Sequence, residues 1–365
     1  MLLLPNGLDA EQRQTLMRQV HATPWSEIEV ESSADDLAEP IRTRWILATS
    51  GTTGTPKLVE HTLESLTRSA SFDVRIGAQH TWSSLYNLRG FAGLQVFLQA
   101  WCGGSRFVMH RGELSLAERI HRMARHGATA LSATPTMWRK LLMTGGVESM
   151  PLKRITLGGE IADQKILDAL ADSFSGVKIR HIYASTEVGV GFSVRDGRAG
   201  FPVNFLDQAQ GNVRLRVREG RLWLKSDGPG GRFVQSSPSM HDEDDFIDTG
   251  DLVVQNGDRF EFLGRAGGAI NVGGNKVQPE EIERFLLGLD PVAEARVHAK
   301  KSPFTGSIVA VDIVPADSVD AATVRKVVTK ACRAELPAYK VPAMIRVVDS
   351  IATNANGKVM RSTAA

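Results

Sequence analysis

The densest cluster of chemistry-bearing groups in this 365-residue chain is Ala48-Thr49-Ser50-Gly51-Thr52-Thr53-Gly54-Thr55-Pro56-Lys57. The hydroxyls of Thr49, Ser50, Thr52 and Thr53 and the ammonium of Lys57 crowd one short loop. Gly51 and Gly54 let the backbone turn tightly and approach a ligand. Successive N–H groups, hydroxyls and a lysine make a cradle for phosphate oxygens. The order GxxxxGK[ST] cannot be laid over the run, so it is not a Walker loop. Read alone, the run also fits a flexible Gly/Thr surface loop. Two further turns carry polar groups behind apolar runs: Gly158-Gly159-Glu160 after Ile155-Thr156-Leu157, and Ala184-Ser185-Thr186-Glu187 after Val177 to Tyr183. Both sit at the C-terminal ends of expected strands, where open α/β sheets bind ligands.

The elements that must position these groups follow from apolar periodicity. A helix is expected from Asp9, as N-cap, to about His21, then a linker from Glu27 to Pro40. Arg44 to Ala48 reads as the strand feeding the loop, and His61 to Ser71 as a helix. Strands at 82–86, 107–109, 130–134, 155–160 and 177–183 alternate with helices at 91–101, 116–125, 137–143 and 163–174. That alternation points to α/β layers with a largely parallel sheet. From Val213 to Trp223 the period switches to two around Glu219-Gly220, a β-hairpin that opens a β-rich subdomain continued by 246–251 and 260–263. Gly264-Arg265-Ala266-Gly267-Gly268 is the best domain boundary, because adjacent glycines absorb large backbone changes. Beyond it, a helix opened by Pro279, strands at 295–297, 307–314 and 345–348 and a helix at 321–333 make a small α+β domain. The expected division is 1–264 and 265–365.

Composition limits the function classes. The net charge of +2 offers no nucleic-acid or membrane surface. Cys102 and Cys332 lie far apart with no Cys/His cluster, against a zinc site or disulfide framework. No run of about 18 apolar residues suggests a spanning helix. The N-terminal MLLLPNGLDAEQRQ lacks the basic region and cleavage site of a signal peptide. A cytoplasmic protein is expected.

SGTTGTPK resembles the phosphate loop of the adenylate-forming superfamily, which includes acyl- and aryl-CoA synthetases, luciferases and peptide-synthetase adenylation domains. Further matches follow in the family's order from about Trp45 to Arg361: Gly158-Gly159-Glu160, His181 to Glu187 against YGxTE, Thr249-Gly250-Asp251, Gly264 to Glu283 against GRxDxxIKxxGxxIxxxEIE, and Asn356-Gly357-Lys358-Val359-Met360-Arg361 against GKxxR. The resemblance implies a large N-terminal domain with layered mixed and parallel sheets, a β-rich subdomain and a small mobile α+β C-terminal domain. It implies a ligase that joins a small carboxylic acid to ATP, releases pyrophosphate, and passes the acyl group to the thiol of CoA or of a carrier protein's phosphopantetheine. Thr49 to Gly54 and Lys57 would hold the β- and γ-phosphates. Gly158, Gly159, Glu160, His181, Tyr183 and Ala184 would wall the adenine, with the tyrosine ring on the purine. Thr186 would hold the α-phosphate and Glu187 a Mg²⁺ ion, which prefers oxygen ligands. Asp251 would accept from the ribose hydroxyls and Arg265 would hold ribose or phosphate. Gly274 would let a pantetheine arm pass. Lys358 would bridge the attacking carboxylate and the α-phosphate, neutralising charge in the transition state.

Departures from the pattern carry their own expectations. Leu58, Ala184, Gly267 and Asn271 replace a usual Gly, Gly, charged hinge residue and Lys. The loop arrives after fewer than fifty residues, which implies a truncated N-terminal region whose wall a partner or a homodimer replaces. Tyr86 to Gly93 carries Asn87 and Gly90 where relatives read PxxHxxG, so the acyl gate is missing or supplied elsewhere; Arg89 there is a candidate partner for an acidic substrate. Gly158, Gly159, Gly189 and Gly191 suggest room for a ring or chain. Two competing classes remain: a ligase loading only a carrier protein, and a non-catalytic AMP or acyl-AMP binder, against which Lys358, Glu187 and Asp251 argue. A phosphotransfer kinase lacks an Asp base and metal pair.

Overall fold

The structure is a computed structural model that describes residues 1–4, 9–20, 43–49, 57–110, 114–227, 231–234, 242–302, 306–354 and 357–360. The expected linker at 27–40 and residues 50–56 of the hydroxyl-rich loop, with Ser50, Gly51, Thr52, Thr53 and Gly54, lie outside the described residues.

In chain order the first part contains β1 (Leu2–Leu3), α1 (Ala10–Gln19), β2 (Trp45–Ala48), β3 (Leu58–His61), α2 (Leu63–Thr67), α3 (Val74–Gly77), β4 (Thr81–Ser84), α4 (Phe91–Cys102), β5 (Arg106–Val108) and α5 (Leu116–Arg125). It continues with β6 (Ala130–Ala133), α6 (Pro135–Thr144), β7 (Arg154–Gly158), α7 (Gln164–Ser173), β8 (Lys178–Ser185) and β9 (Gly189–Val194). The main sheet has the order β5-β4-β6-β7-β8-β9. Its strands are parallel except β9, which runs antiparallel to β8. Helices α5, α6 and α7 cover it through Trp138, Leu131, Ile155, Leu157, Ile166 and Leu170, all essentially buried. Each such side chain contributes about 1.5–3 kcal/mol. The Trp138 indole donates to the Thr156 carbonyl at 3.1 Å, so the largest core side chain leaves no polar atom unpaired.

The β-rich part is a second sheet of order β10 (Phe201–Pro202), β15 (Arg259–Arg265), β14 (Ile247–Asn256), β12 (Arg221–Ser226) and β11 (Val213–Arg218). The expected hairpin turns at Glu219 and Gly220, with φ of 52° and 70°, the left-handed pair a tight β-turn needs. The last part is a sheet of order β17 (Asn275–Val277), β16 (Ile270–Val272), β19 (Gly306–Pro315) and β18 (Val292–Ser302), with β20 (Met344–Val347) parallel to β19. Helices α8 (Pro279–Leu287) and α9 (Ala321–Glu335) pack on it. Ile282, Leu286, Val297, Val311, Ile313, Val324 and Val328 form its core, and every member of that core lies beyond Gly264.

Two local expectations are corrected. His61 does not begin a helix; it ends β3, which pairs antiparallel with β2, Trp45 opposite His61 and Ala48 opposite Leu58. That sheet has the order β1-β2-β3-β13, with β1 parallel to β2 and β13 (Arg232–Phe233) antiparallel to β3. Three of the four β3 residues are buried, so the strand shows no clean alternation to read. The helix that follows starts only at Leu63, behind a Thr62–Ser65 capping box, and stops at Thr67; Asp73 then caps a separate short helix. Ile270 to Val277 forms the β16–β17 hairpin, turning at Gly273 and Gly274 with φ of 55° and 89°.

Candidate functional site

The ends of β2 and β3 hold the mouth of the hydroxyl-rich loop. Thr49 N donates to the Lys57 carbonyl at 2.8 Å and Lys57 N donates to Thr49 Oγ1 at 3.2 Å. The residues on either side of 50–56 are therefore held together.

Next to it runs β8. Ala184 pairs with Val190 just past a register shift and packs against Leu47, Leu66 and Phe91. The buried His61 joins the two sheets at this point. Its Nε2 lies 2.7 Å from the Thr186 carbonyl and its Nδ1 3.0 Å from Ser65 Oγ. Burial lowers its pKa, against the Thr186 contact that raises it, so the neutral ring donates to Thr186. Glu187 accepts Gly231 N on its carbonyl at 2.9 Å. The Thr186-Glu187 turn is thus fixed through its backbone, and both side chains are left for other work. His61 escaped sequence reasoning because its partners are a hydroxyl four residues on and a carbonyl far along the chain.

Tyr183 lies on β8 opposite Phe192, its ring parallel to Phe192 and Phe262 at centroid distances of 5.1 and 5.5 Å. Its hydroxyl donates to Asp251 Oδ2. Burial and then the Asp251 charge push its pKa well up, so it stays a donor. Arg265 Nε donates to Asp251 Oδ1 at 2.9 Å across the β14–β15 pair. Asp251 N is itself held by Thr249 Oγ1 at 3.1 Å. Asp251 therefore sits in a strand and not a β-turn, its carboxylate aimed by a phenol and a guanidinium. His181 is differently engaged: its Nε2 lies 3.1 Å from the Arg198 carbonyl, and burial lowers its pKa. That ring nitrogen anchors the 196–199 turn.

The lysine arrives from the far end of the chain. The described arms 352–354 and 357–360 pair as a hairpin, with Asn354 N donating to the Lys358 carbonyl at 2.8 Å and Met360 N to the Ala352 carbonyl at 3.2 Å. Gly159 has φ of +82°, and a Cβ there would stand 3.1 Å from Lys358 Cε, so only glycine leaves the lysine its place. Burial lowers the pKa of Lys358, while Glu160, Asp251 and Glu187 pull it back up and Arg265 lowers it further. The five charged groups singled out by sequence thus share one electrostatic neighbourhood. Gly274 is not among them: its N–H donates to Asn271 Oδ1 at 3.1 Å in the β16–β17 hairpin, and no described atom stands within 4 Å of its place for a Cβ.

The space inferred from glycines is filled. A Cβ on Gly158 would meet the Tyr86 hydroxyl at 3.4 Å, on Gly159 Lys358, on Gly189 Arg68 at 3.2 Å, and on Gly191 Tyr183 and Leu224 at 3.2 Å. These glycines admit the protein's own side chains. Tyr86, buried next to Asn87 at the start of the stretch that departs from PxxHxxG, donates to the Gly158 carbonyl at 2.9 Å. Asn87 and Gly90 form the turn into α4, and Arg89 is exposed.

Glu187 is suited to a hard cation. Its carboxylate is half-buried and makes no hydrogen bond or ion pair among the described residues. Among the described residues no group of three or more His, Cys, Asp and Glu side chains gathers, so an all-protein metal cage is not what this region offers. One carboxylate completed by phosphate oxygens and water is the usual manner of Mg²⁺. No helix among the described residues is long and apolar enough to cross a membrane.

Comparison with known proteins shows the family and the fold. The AMP-binding enzyme family model matches residues 6–234, and the AMP-binding enzyme C-terminal domain matches residues 281–358. A 2-succinylbenzoate–CoA ligase of Bacillus subtilis is 27% identical over 337 residues, covering 88% of this chain and 68% of the relative. A 4-hydroxybutyrate–CoA ligase of Metallosphaera sedula is 27% identical over 369 residues, covering 92% and 64%. Among solved structures, the B. subtilis o-succinylbenzoate CoA synthetase in complex with its acyl-adenylate intermediate superposes with a TM-score of 0.72 at 22% identity, over 99% of this chain and 81% of that one. An anthranilate CoA ligase in complex with anthranoyl-AMP gives 0.70 at 19% identity, over 86% and 65%.

Proposed function

Because the chain belongs to the AMP-binding enzyme family, we propose that it activates a small carboxylic acid with ATP and passes the acyl group to a thiol. The acid's carboxylate attacks the α-phosphate, pyrophosphate leaves, and an acyl-adenylate forms. The thiol then attacks the acyl carbon, AMP leaves, and a thioester results with loss of the thiol proton.

The observation that carries this reading is Lys358 lying against Gly159 within reach of the fields of Glu160, Glu187, Asp251 and Arg265. A lysine delivered there can pair with the attacking carboxylate and the α-phosphate as charge develops, the kind of fixed stabilisation that dominates many enzyme reactions. Asp251, aimed by Tyr183 and Arg265, is suited to two ribose hydroxyls. Gly158, Gly159, Glu160, His181, Tyr183 and Ala184 would border the adenine. Thr186 would meet the α-phosphate, and Thr49, Lys57 and the loop between them the outer phosphates. Glu187 would hold Mg²⁺, which when bound neutralises phosphate charge. Gly274 would approach the thiol's pantetheine arm only after the C-terminal part has turned. We place the division of domains at 264/265, which the separate core beyond Gly264 supports.

CoA is the favoured acceptor, since the curated relatives named above are CoA ligases. A carrier protein's phosphopantetheine presents the same thiol chemistry. The test is ATP–pyrophosphate exchange with a panel of aliphatic and aromatic acids, then addition of CoA or a holo-carrier and detection of the thioester by mass. Exchange with one acid and a thioester on CoA are expected. AMP binding without exchange for any acid would make the protein a non-catalytic binder.

A further inference from the structure

Helix α6 begins with Thr134 as N-cap and Pro135 at its first position, and Thr134 Oγ1 accepts Met137 N at 3.1 Å. The same hydroxyl donates to the Gly357 carbonyl at 2.6 Å, 223 residues along the chain. Glu160, at the end of β7, uses both carboxylate oxygens. Oε2 accepts Thr136 N in the first turn of α6 at 3.1 Å, and Oε1 accepts Val359 N at 2.9 Å. One turn further along α6, Lys140 Nζ donates to the Ile351 carbonyl at 2.6 Å. Gly357 has φ of +72°, and a Cβ there would stand 2.5 Å from Met137 Cγ, so the hairpin lies flat on the helix. Thr134, Glu160 and Lys140 thus grip backbone groups on both sides of Lys358 without touching its ammonium. On the other flank, Arg296 donates to the Met360 carbonyl at 2.9 Å and to the buried Asp312, fixing the hairpin to its own sheet.

We infer that Thr134, Glu160 and Lys140 are positioning residues forming an interdomain latch, which docks the lysine hairpin for adenylate formation and lets it go for thiol transfer. The inference rests on the proposed two-step function for its consequence, but the grip itself is a property of the fold. The latch reads backbone carbonyls and one N–H, so docking is independent of the Lys358 side chain. The Glu160 carboxylate is accordingly a receptor for the hairpin, and only the Glu160 backbone is left to border the adenine. Two of the three gripping groups are charged, which makes each hydrogen bond stronger than a neutral one.

Hydrogen–deuterium exchange on the full chain tests the grip without any substrate. The Val359 amide should be protected in the wild type and in Lys358→Ala. It should exchange ~10-fold or more faster in Glu160→Ala, the scale of one lost charge-assisted hydrogen bond. Glu160→Gln, which keeps an acceptor oxygen, should restore part of the protection. Lys140→Met, which does not touch the α6 N-terminus, should loosen the 351–360 segment by itself, separating latch loss from misfolding. Kinetically, Glu160→Ala should lower kcat for adenylate formation with KM for ATP unchanged, and leave transfer from supplied acyl-adenylate intact. Unaltered Val359 protection in Glu160→Ala, or a raised KM for ATP at unchanged kcat, would overturn the latch. If no acid supports exchange in the wild type, the proposed function fails while the deuterium result still decides the latch.

Discussion

The Tyr183 hydroxyl donates to Oδ2 of Asp251, while the second carboxylate oxygen is taken by Arg265 at 2.9 Å. An acid held from both sides has lost its rotamer freedom before any ligand arrives, so the ribose meets a preorganised acceptor. Tyr183→Phe removes one hold and keeps the ring in its cluster with Phe192 and Phe262. It should weaken ATP and AMP alike by about 1.5 kcal/mol, the lower end for a hydrogen bond to a charged group. Asp251→Ala should cost roughly 1–3 kcal/mol on the same scale, and the double variant no more than Asp251→Ala alone. Calorimetry with AMP measures all three. Additive losses would show that the phenol serves the nucleotide by another route.

Lys358→Ala should cut adenylate formation by ~10²–10³-fold, the scale for removing one preorganised electrostatic stabiliser. Transfer from a supplied acyl-adenylate should survive much better, because the lysine is needed only while its hairpin is docked on α6. Single-turnover assays of the two half-reactions make the comparison, and an equal loss in both contradicts a lysine that serves one step.

How far the sequence could be read depended on whether a residue's partner was local. The strands and helices of the main sheet are legible because their apolar periods are repeated against one core. Asp251, Glu187 and Lys358 are legible because each sits in a short run whose chemistry is complete within a few residues. Thr134, Lys140 and His61 are not, since each acts on a backbone carbonyl 223, 211 or 125 residues away, and a carbonyl has no residue type to read. The four glycines mislead for a related reason. Their lack of a side chain is visible in sequence, while what fills the space, Tyr86, Lys358, Arg68 and Tyr183, comes from elsewhere in the fold.

Glu294 on β18 is buried, with Oε2 making no hydrogen bond among the described residues and Lys140 Nζ 4.0 Å away. Burial raises its pKa, and Glu160 adds to that, against Lys140 and Arg139, which lower it. The native state therefore holds this proton more tightly than the unfolded chain. Its contribution is fully present below the ordinary carboxylate range and is lost as pH rises through the raised value. Glu294→Gln should flatten that fall, gaining about 1 kcal/mol at neutral pH, the low end for a buried polar atom left without a hydrogen bond, and nothing in acid. Thermal melts of both proteins across pH 4 to 8 read the difference; parallel curves would mean that Lys140 fully compensates the carboxylate.

The glycines at the domain boundary divide into two kinds. Gly264 has φ of +137°, a region closed to side chains, and a Cβ there would run into the Glu280 carboxylate. Gly264→Ala should therefore destabilise the docked structure by about 1–3 kcal/mol, the cost of such strain. Gly267 lies in a short turn, Ala266–Gly268, at a φ open to any residue, with nothing within 4 Å of the place for a Cβ. Nothing in the docked state asks for glycine there, so a need for it can only come from the turned state. Gly267→Ala should leave adenylate formation at wild-type rate. Gly267→Pro, which fixes φ, should separate the half-reactions, one retained and the other largely lost. Measured side by side, the two variants locate the pivot. If both run each half-reaction at wild-type rate, the chain turns elsewhere, and Gly264 with its strained φ becomes the residue to vary next.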